Sequence, residues 1–276
     1  MKHKDIYYIT GATCDIGIEI VNKLLLKQKT VYVLVRDIKK AKQVFRNSKI
    51  SYISFDLHRK IENFKIRKNS TLIHCAWEKP RDVQNNIHID SVLKYHYHFI
   101  SKMISMGIKK VIVTGTCSEF GMTYGPVKST TETNPCTSYG IGKDYLHKSL
   151  RILENDQDYD LIWLRLFNVY EESVNKRTVT SLLCKAIDDN DAEFSMSFGD
   201  QKFDYMRVKD VAEKIIKSID KESGTYHICS AKPIKLKKLL ESIKKERNSN
   251  IKLKLGEYPY RDHEPFAIWG ANDDIK

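Results

Sequence analysis

The feature that most constrains this chain is the alternation of strand-like and helix-like segments along its first 165 residues. Short apolar runs occur at residues 5–10, 30–35, 50–55, 70–76, 110–116 and 161–166, with helical stretches at 16–27, about 83–106 and 139–155. Continuous apolar runs are typical of strands that are covered on both faces. The pattern therefore predicts repeated β-α units and an α/β fold with a doubly wound parallel sheet.

The regular alternation ends after residue 166, which indicates a second, smaller structural unit. Helices are predicted near 178–188 and 236–247, and TYHICS at 225–230 is strand-like. We predict a main sheet domain over 1–167, with returning elements at about 203–229. Residues 168–202 and 230–276 are predicted to form a smaller C-terminal lobe that holds a substrate.

Composition and charge narrow the class of protein. Hydrophobic residues make up 41% of the 276 residues, and no apolar run approaches the roughly 20 residues of a spanning helix. The chain begins without a signal peptide, so we expect a cytoplasmic protein. Its net charge of +12 comes from scattered lysines, so we expect neither nucleic acid nor membrane as partner. The six cysteines lack zinc spacing, so no metal site is expected.

A glycine-containing loop, TGATCDIG, follows the first strand and opens the first helix. Its glycines allow a tight turn and close packing of helix on sheet, and the helix N-terminus attracts a pyrophosphate. This predicts a Rossmann-type dinucleotide site, although a plain packing role would also explain the loop. The predicted cofactor-binding residues here are Gly11, Thr13, Cys14, Asp15, Ile16 and Gly17.

Cys14 stands where such loops usually carry a middle glycine. We expect its Cβ to crowd the pyrophosphate, and a left-handed backbone at this position would cost roughly 1–2 kcal/mol. Asp15 places a carboxylate beside the phosphate and would serve better as a helix cap.

The end of the second strand bears on the type of dinucleotide. An acidic residue there bonds the ribose 2′-hydroxyl of NAD, whereas an arginine accommodates the 2′-phosphate of NADP. The strand VYVLV is followed by Arg36 and then by Asp37. We favour NADP(H) because the arginine comes first, and Asp37 leaves NAD(H) open.

Tyr139 and Lys143 are four residues apart and share one face of a predicted helix. A phenol with a pKa near 10 is a poor catalyst at neutral pH, and a nearby ammonium favours its ionised form. The run VIVTGTCSEFG places the hydroxyls of Thr116 and Ser118 at a strand end, where ligands lie in such sheets. Together these residues predict an acid–base site.

These motifs resemble the extended short-chain dehydrogenase/reductase family, in its nucleotide-sugar reductase and epimerase branch (NAD-dependent epimerase/dehydratase-like). The matching segments span nearly the whole chain and include ITGATCDIG, LIHCAW, VTGTCSEFG, YGIGK, LRLFNVY, FDYMRVKDVAE, TYHICS and PYRDHEP. The resemblance implies that Tyr139 is the proton donor and that Thr116 bonds the reacting oxygen. It implies that Lys143 orients the nicotinamide ribose and lowers the tyrosine pKa.

The resemblance also assigns binding residues. Cofactor contacts are implied at Asp56, Leu57, Cys75, Ala76 and Trp77, besides Tyr139 and Lys143. Substrate contacts are implied at Cys117, Ser118, Asn168 and Arg261, of which the last two would hold the nucleotide diphosphate. Homodimers are common in this family.

Departures from the family pattern narrow the reaction. The dehydratases carry an acidic pair where this chain has Cys117 and Ser118. The epimerase–reductases use a cysteine at the position of Ser118 and a later histidine, whereas no histidine lies between His147 and His227. We therefore expect reduction of a keto group, at C4 of a nucleotide-linked 6-deoxy sugar, in rare-sugar or surface-polysaccharide precursor synthesis.

Two alternatives stay open. A C4-epimerase would take a hydride and return it, and so would retain tightly bound NAD. A non-catalytic dinucleotide-binding protein would account for Cys14, Asp15 and Phe120, the last of which replaces the family's usual tyrosine.

Overall fold

The computed structural model describes residues 5–46, 49–58, 65–171 and 178–275. Its strands are β1 (Ile6–Thr10), β2 (Thr30–Val35), β3 (Ile50–Ser54), β4 (Ser70–His74), β5 (Ile108–Thr116), β6 (Gly125–Val127), β7 (Asp160–Leu166), β8 (Asn168–Tyr170), β9 (Glu193–Ser195), β10 (Lys202–Phe203), β11 (Tyr205–Arg207), β12 (Gly224–Ile228), β13 (Ile234–Lys235), β14 (Lys252–Lys254) and β15 (Ala267–Gly270). Its α-helices are α1 (Asp15–Leu26), α2 (Ile38–Phe45), α3 (Leu93–Ser105), α4 (Ser138–Asp156), α5 (Val179–Asp188), α6 (Val208–Lys217) and α7 (Leu236–Glu246).

Seven strands form the central sheet, in the order β12-β7-β5-β4-β1-β2-β3. All neighbouring pairs in it are parallel. The chain winds outward in one direction from β1 to β3 and in the other from β4 to β12. The carboxyl ends of β1 and β4 therefore meet at a switch point, where such sheets bind ligands. This confirms the predicted Rossmann-type doubly wound sheet.

Helices cover both faces of the central sheet. On one face α1 and α6 pack together, and Ile20, Val211 and Ile215 are fully buried there. The apolar residues of α1 recur at helical spacing, so one side of this helix enters the core. On the other face α3 and α4 cover the sheet, with Phe99 and Leu146 in the buried cluster.

A further apolar cluster joins α5 to α7, with Leu183, Leu240 and Ile243 inside it. Two of the three small sheets, β11-β8 and β14-β9, pack against this cluster. The strands of the third small sheet, β13-β10-β15-β6, contribute Val127, Phe203 and Ile268 to a separate apolar cluster. This third sheet pairs β15 with β6, so it crosses the boundary proposed between the main domain and the lobe. The division into a main sheet domain and a substrate-holding lobe stays a prediction.

Two elements are shorter than the sequence pattern predicts. The run 70–76 remains a strand only to His74, after which residues 75–77 leave the sheet edge as a loop. The helix expected over about 83–106 begins with a π-helical turn, His88–Val92, and continues as α3. Residues before it form turns, because the Asn85 side chain accepts from the Ile87 amide and competes with helix formation. Within the described ranges no helix has the length and apolar character of a membrane span.

Candidate active site

Three concave regions lie along the carboxyl edge of the central sheet. The edge cleft, about 810 Å³, runs over the ends of β1, β2 and β4. The lobe cleft, about 1120 Å³, is bounded by β8, α5 and the 258–264 segment. A small pocket of about 140 Å³ is lined by Cys117, Ser118, Asn168, His263 and Glu264, among others.

The structure brings nine of the predicted cofactor residues to the edge cleft. They are Gly11, Thr13, Cys14, Arg36, Asp56, Leu57, Cys75, Ala76 and Trp77. The predicted residues Asp15, Ile16 and Gly17 instead form the first turn of α1. Their part is to shape the loop, and an acidic side chain in a first helical turn is favourable to the helix.

Cys14 does not adopt the left-handed backbone that would have strained the loop, and the crowding of a pyrophosphate by its Cβ stays a prediction. It has an extended backbone, with φ −81° and ψ 164°, and it is the N-cap of α1. Its Sγ accepts a hydrogen bond from the Gly17 amide at 3.4 Å. A side chain is useful at an N-cap, which explains why glycine is not required here.

The edge cleft fits a dinucleotide. Gly11 has φ +66°, and a Cβ there would lie 2.7 Å from the Ala76 backbone nitrogen, so only glycine allows the ends of β1 and β4 to approach so closely. The volume lies within the range of cofactor pockets. The N-terminus of α1 and the cations Arg36 and Lys40 add positive potential.

Asp37, the acidic residue that kept NAD open, also lines the edge cleft and is exposed there. Asp37 is the N-cap of α2, and its carboxylate accepts from the Lys40 amide at 3.0 Å. Arg36, directly before it, is exposed and lines the edge cleft.

Thr116 ends β5 and caps the short 3-10 turn that follows it. Its hydroxyl accepts from the Ser118 amide and donates to the Ser118 hydroxyl, both at 3.2 Å. Its own amide donates to Glu119 at 2.9 Å. Reciprocal capping of this kind holds the Thr116 side chain in one orientation at the sheet edge.

Tyr139 lies in the first turn of α4, where its phenol interacts with the Thr116 side chain. Its amide donates to the Val83 carbonyl at 2.9 Å, which ties the start of α4 to the loop after β4. Burial raises the pKa of the Tyr139 phenol well above its ordinary value, and the Thr116 hydrogen bond only partly opposes this. The structure thus differs from the expectation that Lys143 lowers this pKa.

Lys143 is 2% exposed and lies one turn after Tyr139 on α4. Its Nζ donates to the Thr114 carbonyl at 2.8 Å and lies 4.1 Å from the centroid of the Trp77 ring. Burial lowers the pKa of Lys143 to about 8, an effect that the Glu119 carboxylate partly offsets. The ammonium is therefore held by a carbonyl and an aromatic face rather than by an ion pair.

Cys117, Ser118 and Asn168 line the small pocket. Burial, and next the Glu119 carboxylate, raise the pKa of the Cys117 thiol to about 12. The thiol is neutral at physiological pH, so neither residue is a base.

The predicted substrate residues Asn168 and Arg261 both line the lobe cleft, where Arg81 and Lys185 add positive charge. Arg261 donates to Glu264 at 2.8 Å. Asn168 lines the small pocket as well, and so connects it to the lobe cleft.

Two residues of the small pocket were missed from the sequence. The stretch between His147 and His227 has no histidine, but the chain returns to the pocket after it and places His263 and Glu264 there. Both residues belong to the segment PYRDHEP, in which Arg261 is the predicted site residue. His88 was also missed: it is fully buried, and its ring meets the Tyr139 ring edge-on at 5.4 Å.

Comparisons with known proteins agree with this geometry. The chain is 30% identical over 266 residues to dTDP-6-deoxy-L-talose 4-dehydrogenase (NAD(+)) of Aggregatibacter actinomycetemcomitans, covering 95% of this chain and 98% of that protein. It is 24% identical to CDP-abequose synthase of Salmonella muenchen, covering 93% and 85%. The structure superimposes on UDP-N-acetylglucosamine 4-epimerase from Methanobrevibacter ruminantium M1 with a TM-score of 0.82 and 22% identity, covering 98% and 90%. This last likeness concerns the fold.

The family model described as "NAD dependent epimerase/dehydratase family" matches residues 7–229, from β1 to the end of β12. Together with the 30% identical relative, it confirms the prediction of an NAD(P)-dependent oxidoreductase. The chain therefore belongs to the NAD dependent epimerase/dehydratase family.

Proposed function

We propose that this protein is an NADPH-dependent reductase of a keto group, at C4 of a nucleotide-linked 6-deoxy sugar. The observation that carries the proposal is the set of proton-bearing groups beside the small pocket. The Thr116 side chain interacts with the Tyr139 phenol, and the two residues after Thr116 carry a neutral thiol and a hydroxyl. This loop contributes donors to an oxygen but lacks the acidic pair expected of a dehydratase.

The chain's own residues account for the polar half of the reaction. Bound in the edge cleft, the reduced dinucleotide would supply the hydride to the keto carbon. Tyr139 donates its phenolic proton to the keto oxygen. The Thr116 hydroxyl turns its one proton from Ser118 to that oxygen and donates a hydrogen bond as negative charge develops. The raised pKa of Tyr139 keeps the phenol protonated before this step. Solvent then returns a proton to the phenolate, and Lys143 would hold the nicotinamide ribose, as the family resemblance implies.

The preference for NADPH rests on the end of β2. Arg36 and Lys40 bring positive charge to the cleft, and the Asp37 carboxylate is engaged in capping α2. A 2′-phosphate therefore gains two cations there. Asp37 lines the same cleft, and its capping bond uses one carboxylate oxygen, so a 2′-hydroxyl keeps an acidic partner within the site. The name of the 30% identical relative contains NAD(+), so NADH is the comparison that a test must include.

The substrate class is supported by the relatives and by charge. The 30% identical relative is named for 4-dehydrogenation of a dTDP-linked 6-deoxy sugar, which is the reverse of the reaction proposed here. The other is named for a CDP-linked sugar. The cations Arg81, Lys185 and Arg261 line the lobe cleft and suit a nucleotide diphosphate, which would compete with Asp189 for Lys185 and with Glu264 for Arg261.

A second candidate function follows from His263. A histidine beside Cys117 and Ser118 could take a proton from the carbon next to the keto group, so that epimerisation precedes reduction. This differs from the simple reduction in the exchange of a carbon-bound proton with solvent and in the inverted configuration at that carbon.

One experiment separates these possibilities. The purified enzyme is incubated in D₂O with NADPH or NADH and with dTDP- and CDP-linked 4-keto-6-deoxy sugars, and the products are analysed by NMR. The proposal expects net reduction, faster with NADPH, without deuterium on carbon. The second candidate would be established if the wild type introduces deuterium at C3 or C5 and the His263→Asn variant does not. Stoichiometric NAD released from the denatured enzyme, with no net reduction, would show a C4-epimerase instead.

A further inference from the structure

A continuous chain of buried hydrogen bonds runs from the phosphate loop to the edge of the cleft. Thr10 Oγ1 lies 2.7 Å from His74 Nδ1, and His74 Nε2 lies 2.6 Å from His96 Nδ1. His96 Nε2 lies 2.8 Å from Glu78 Oε2. Both imidazoles are fully buried, and the other Glu78 oxygen is 3.4 Å from His58 Nε2. None of these four side chains is used in the reaction proposed above.

The donors and acceptors in this hydrogen-bond chain all point in one direction, toward Glu78. An ionised Glu78 can only accept, so His96 donates from Nε2 and accepts at Nδ1. His74 then donates from Nε2 and accepts from the Thr10 hydroxyl. Burial lowers the pKa of both histidines, which keeps them neutral as this arrangement requires. Burial alone would raise the pKa of Glu78, but the hydrogen bond from His96 helps to lower it, so the carboxylate stays ionised.

At the cleft end of this hydrogen-bond chain, His96 packs against the Trp77 indole, which contacts Lys143. The His96 ring stacks on Trp77, with centroids 4.5 Å apart and planes 27° from parallel. Trp77 in turn contacts the Lys143 ammonium at 4.1 Å and donates from Nε1 to His88 at 3.1 Å. The His88 ring lies against Tyr139. Trp77 thus connects the buried hydrogen-bond chain to Lys143 directly and to Tyr139 through His88.

Resting on the proposed function, we infer that His96 and Glu78 are positioning residues that hold the Trp77 indole and thereby set the place and the protonation of Lys143. Neither touches the reacting atoms. Both residues act on Lys143 by holding Trp77 in place. Glu78 also acts directly, because its negative charge raises the pKa of Lys143. Thr10 directly precedes Gly11 of the phosphate loop. The hydrogen-bond chain that begins at Thr10 therefore connects this loop, through Trp77, to Lys143.

The groups that face Lys143 determine what each variant does. They are Glu119 after β5, Cys75 and Glu78 after β4, His74 in β4, His96 in α3 and Tyr139 in α4. Glu78→Gln keeps the shape and removes a negative charge, so the pKa of Lys143 should fall below about 8. His96→Asn removes the stacking partner of Trp77 and admits water, so this pKa should rise, because burial is the main cause that lowers it.

The cofactor-free protein offers a direct readout. Protonation of the ammonium over the indole should change the emission of Trp77, so tryptophan fluorescence titrates with a midpoint near that pKa. Lys143→Met and Trp77→Phe should both abolish this transition and so assign it. We expect a shift of about one pH unit downward in Glu78→Gln and upward in His96→Asn. Glu213→Gln, from the ion pair with Lys23, and His98→Asn, exposed on α3, are matched controls and should keep the wild-type midpoint.

Enzyme kinetics complete the test. The alkaline limb of kcat should move with the fluorescence midpoint in each variant, while circular dichroism stays that of the wild type. If the wild type reduces no keto sugar, the proposed function fails, and the fluorescence titration still decides this inference. Unchanged midpoints in folded Glu78→Gln and His96→Asn, or shifts equal to those of the controls, would overturn it. Should His96→Asn not fold, the nearly isosteric Glu78→Gln decides alone.

Discussion

Arg165 donates from Nε to the Glu119 carboxylate at 2.6 Å, in a part of the core where neither side chain is more than 5% exposed. The same carboxylate accepts from the Thr116 amide and from the Trp163 indole. This buried pair connects β7 to the turn that carries Thr116. The orientation of the Thr116 hydroxyl therefore depends on charges that lie behind the site.

Loss of Arg165 should destabilise the fold strongly. Arg165→Met leaves the Glu119 charge buried without its partner, which typically costs about 3–5 kcal/mol. Burial already raises the pKa of Glu119, and removal of Arg165 raises it further. A raised folded-state pKa means that the proton stabilises the fold at low pH and that this stability is lost as pH rises.

Urea unfolding at pH 5 and pH 7 measures the effect. The deficit of Arg165→Met should be smaller at pH 5, where Glu119 is protonated more readily. Arg151→Met, which removes a more exposed pair with Glu154, should cost under about 1 kcal/mol. Equal losses in the two variants would contradict this account of the pair.

Lys143 should reduce stability while it supports activity. Its folded-state pKa of about 8 lies below the ordinary value of 10.5, so the buried ammonium is unfavourable at neutral pH, and stability rises between those two pH values. Lys143→Met should therefore raise the midpoint of thermal unfolding by about 2–4 °C. The same change should lower kcat by about 10²–10⁴.

Calorimetry and steady-state kinetics test both statements together. Lys94→Met, at an exposed position of α3, is the control and should change neither quantity. A Lys143→Met enzyme that is less stable than the wild type would be at odds with the burial argument.

Two buried histidines should make the protein sensitive to acid. Burial, and next Arg165, lower the pKa of His147 to about 3 and that of His227 to about 4. In the unfolded chain both groups titrate near the ordinary 6.5. Their contribution to stability is fully present above that pH and is lost as pH falls toward 4 and 3. The midpoint of thermal unfolding should decline as pH falls through this window, and it should decline less steeply in His147→Asn. A decline as steep in His147→Asn as in the wild type would contradict this role of His147.

Arg36 should decide between the two dinucleotides. Arg36→Gln removes a cation from the edge cleft, so KM for NADPH should rise roughly tenfold while KM for NADH changes little. Lys39→Gln, on the exposed part of α2, should leave both values unaltered. Equal effects of Arg36→Gln on the two cofactors would remove the basis for NADPH preference.

The sequence predicted most of the fold because its signals are local. Continuous apolar runs identify the strands of a covered parallel sheet, and the loop from Thr10 to Gly17 marks the first β-α turn. The spacing of Tyr139 and Lys143 needed only the helical repeat. Each of these depends on residues that are close along the chain.

What the sequence could not predict depends on distant contacts. The extended backbone of Cys14 follows from its capping of Gly17, which glycine counting does not reveal. His263 enters the small pocket because β15 pairs with β6, about 140 residues earlier in the chain. The raised pKa of Tyr139 reflects burial, which a four-residue spacing cannot express.

The central claim is that Tyr139 protonates a keto oxygen during net reduction. The most direct measurement is the rate at which NADPH absorbance disappears with a dTDP-linked 4-keto-6-deoxy sugar, in the wild type and in Tyr139→Phe. The account predicts one NADPH consumed for each hydroxyl sugar formed, and a fall in kcat of about 10²–10⁴ in the variant with NADPH binding unchanged. A Tyr139→Phe enzyme that turns over at the wild-type rate would contradict it.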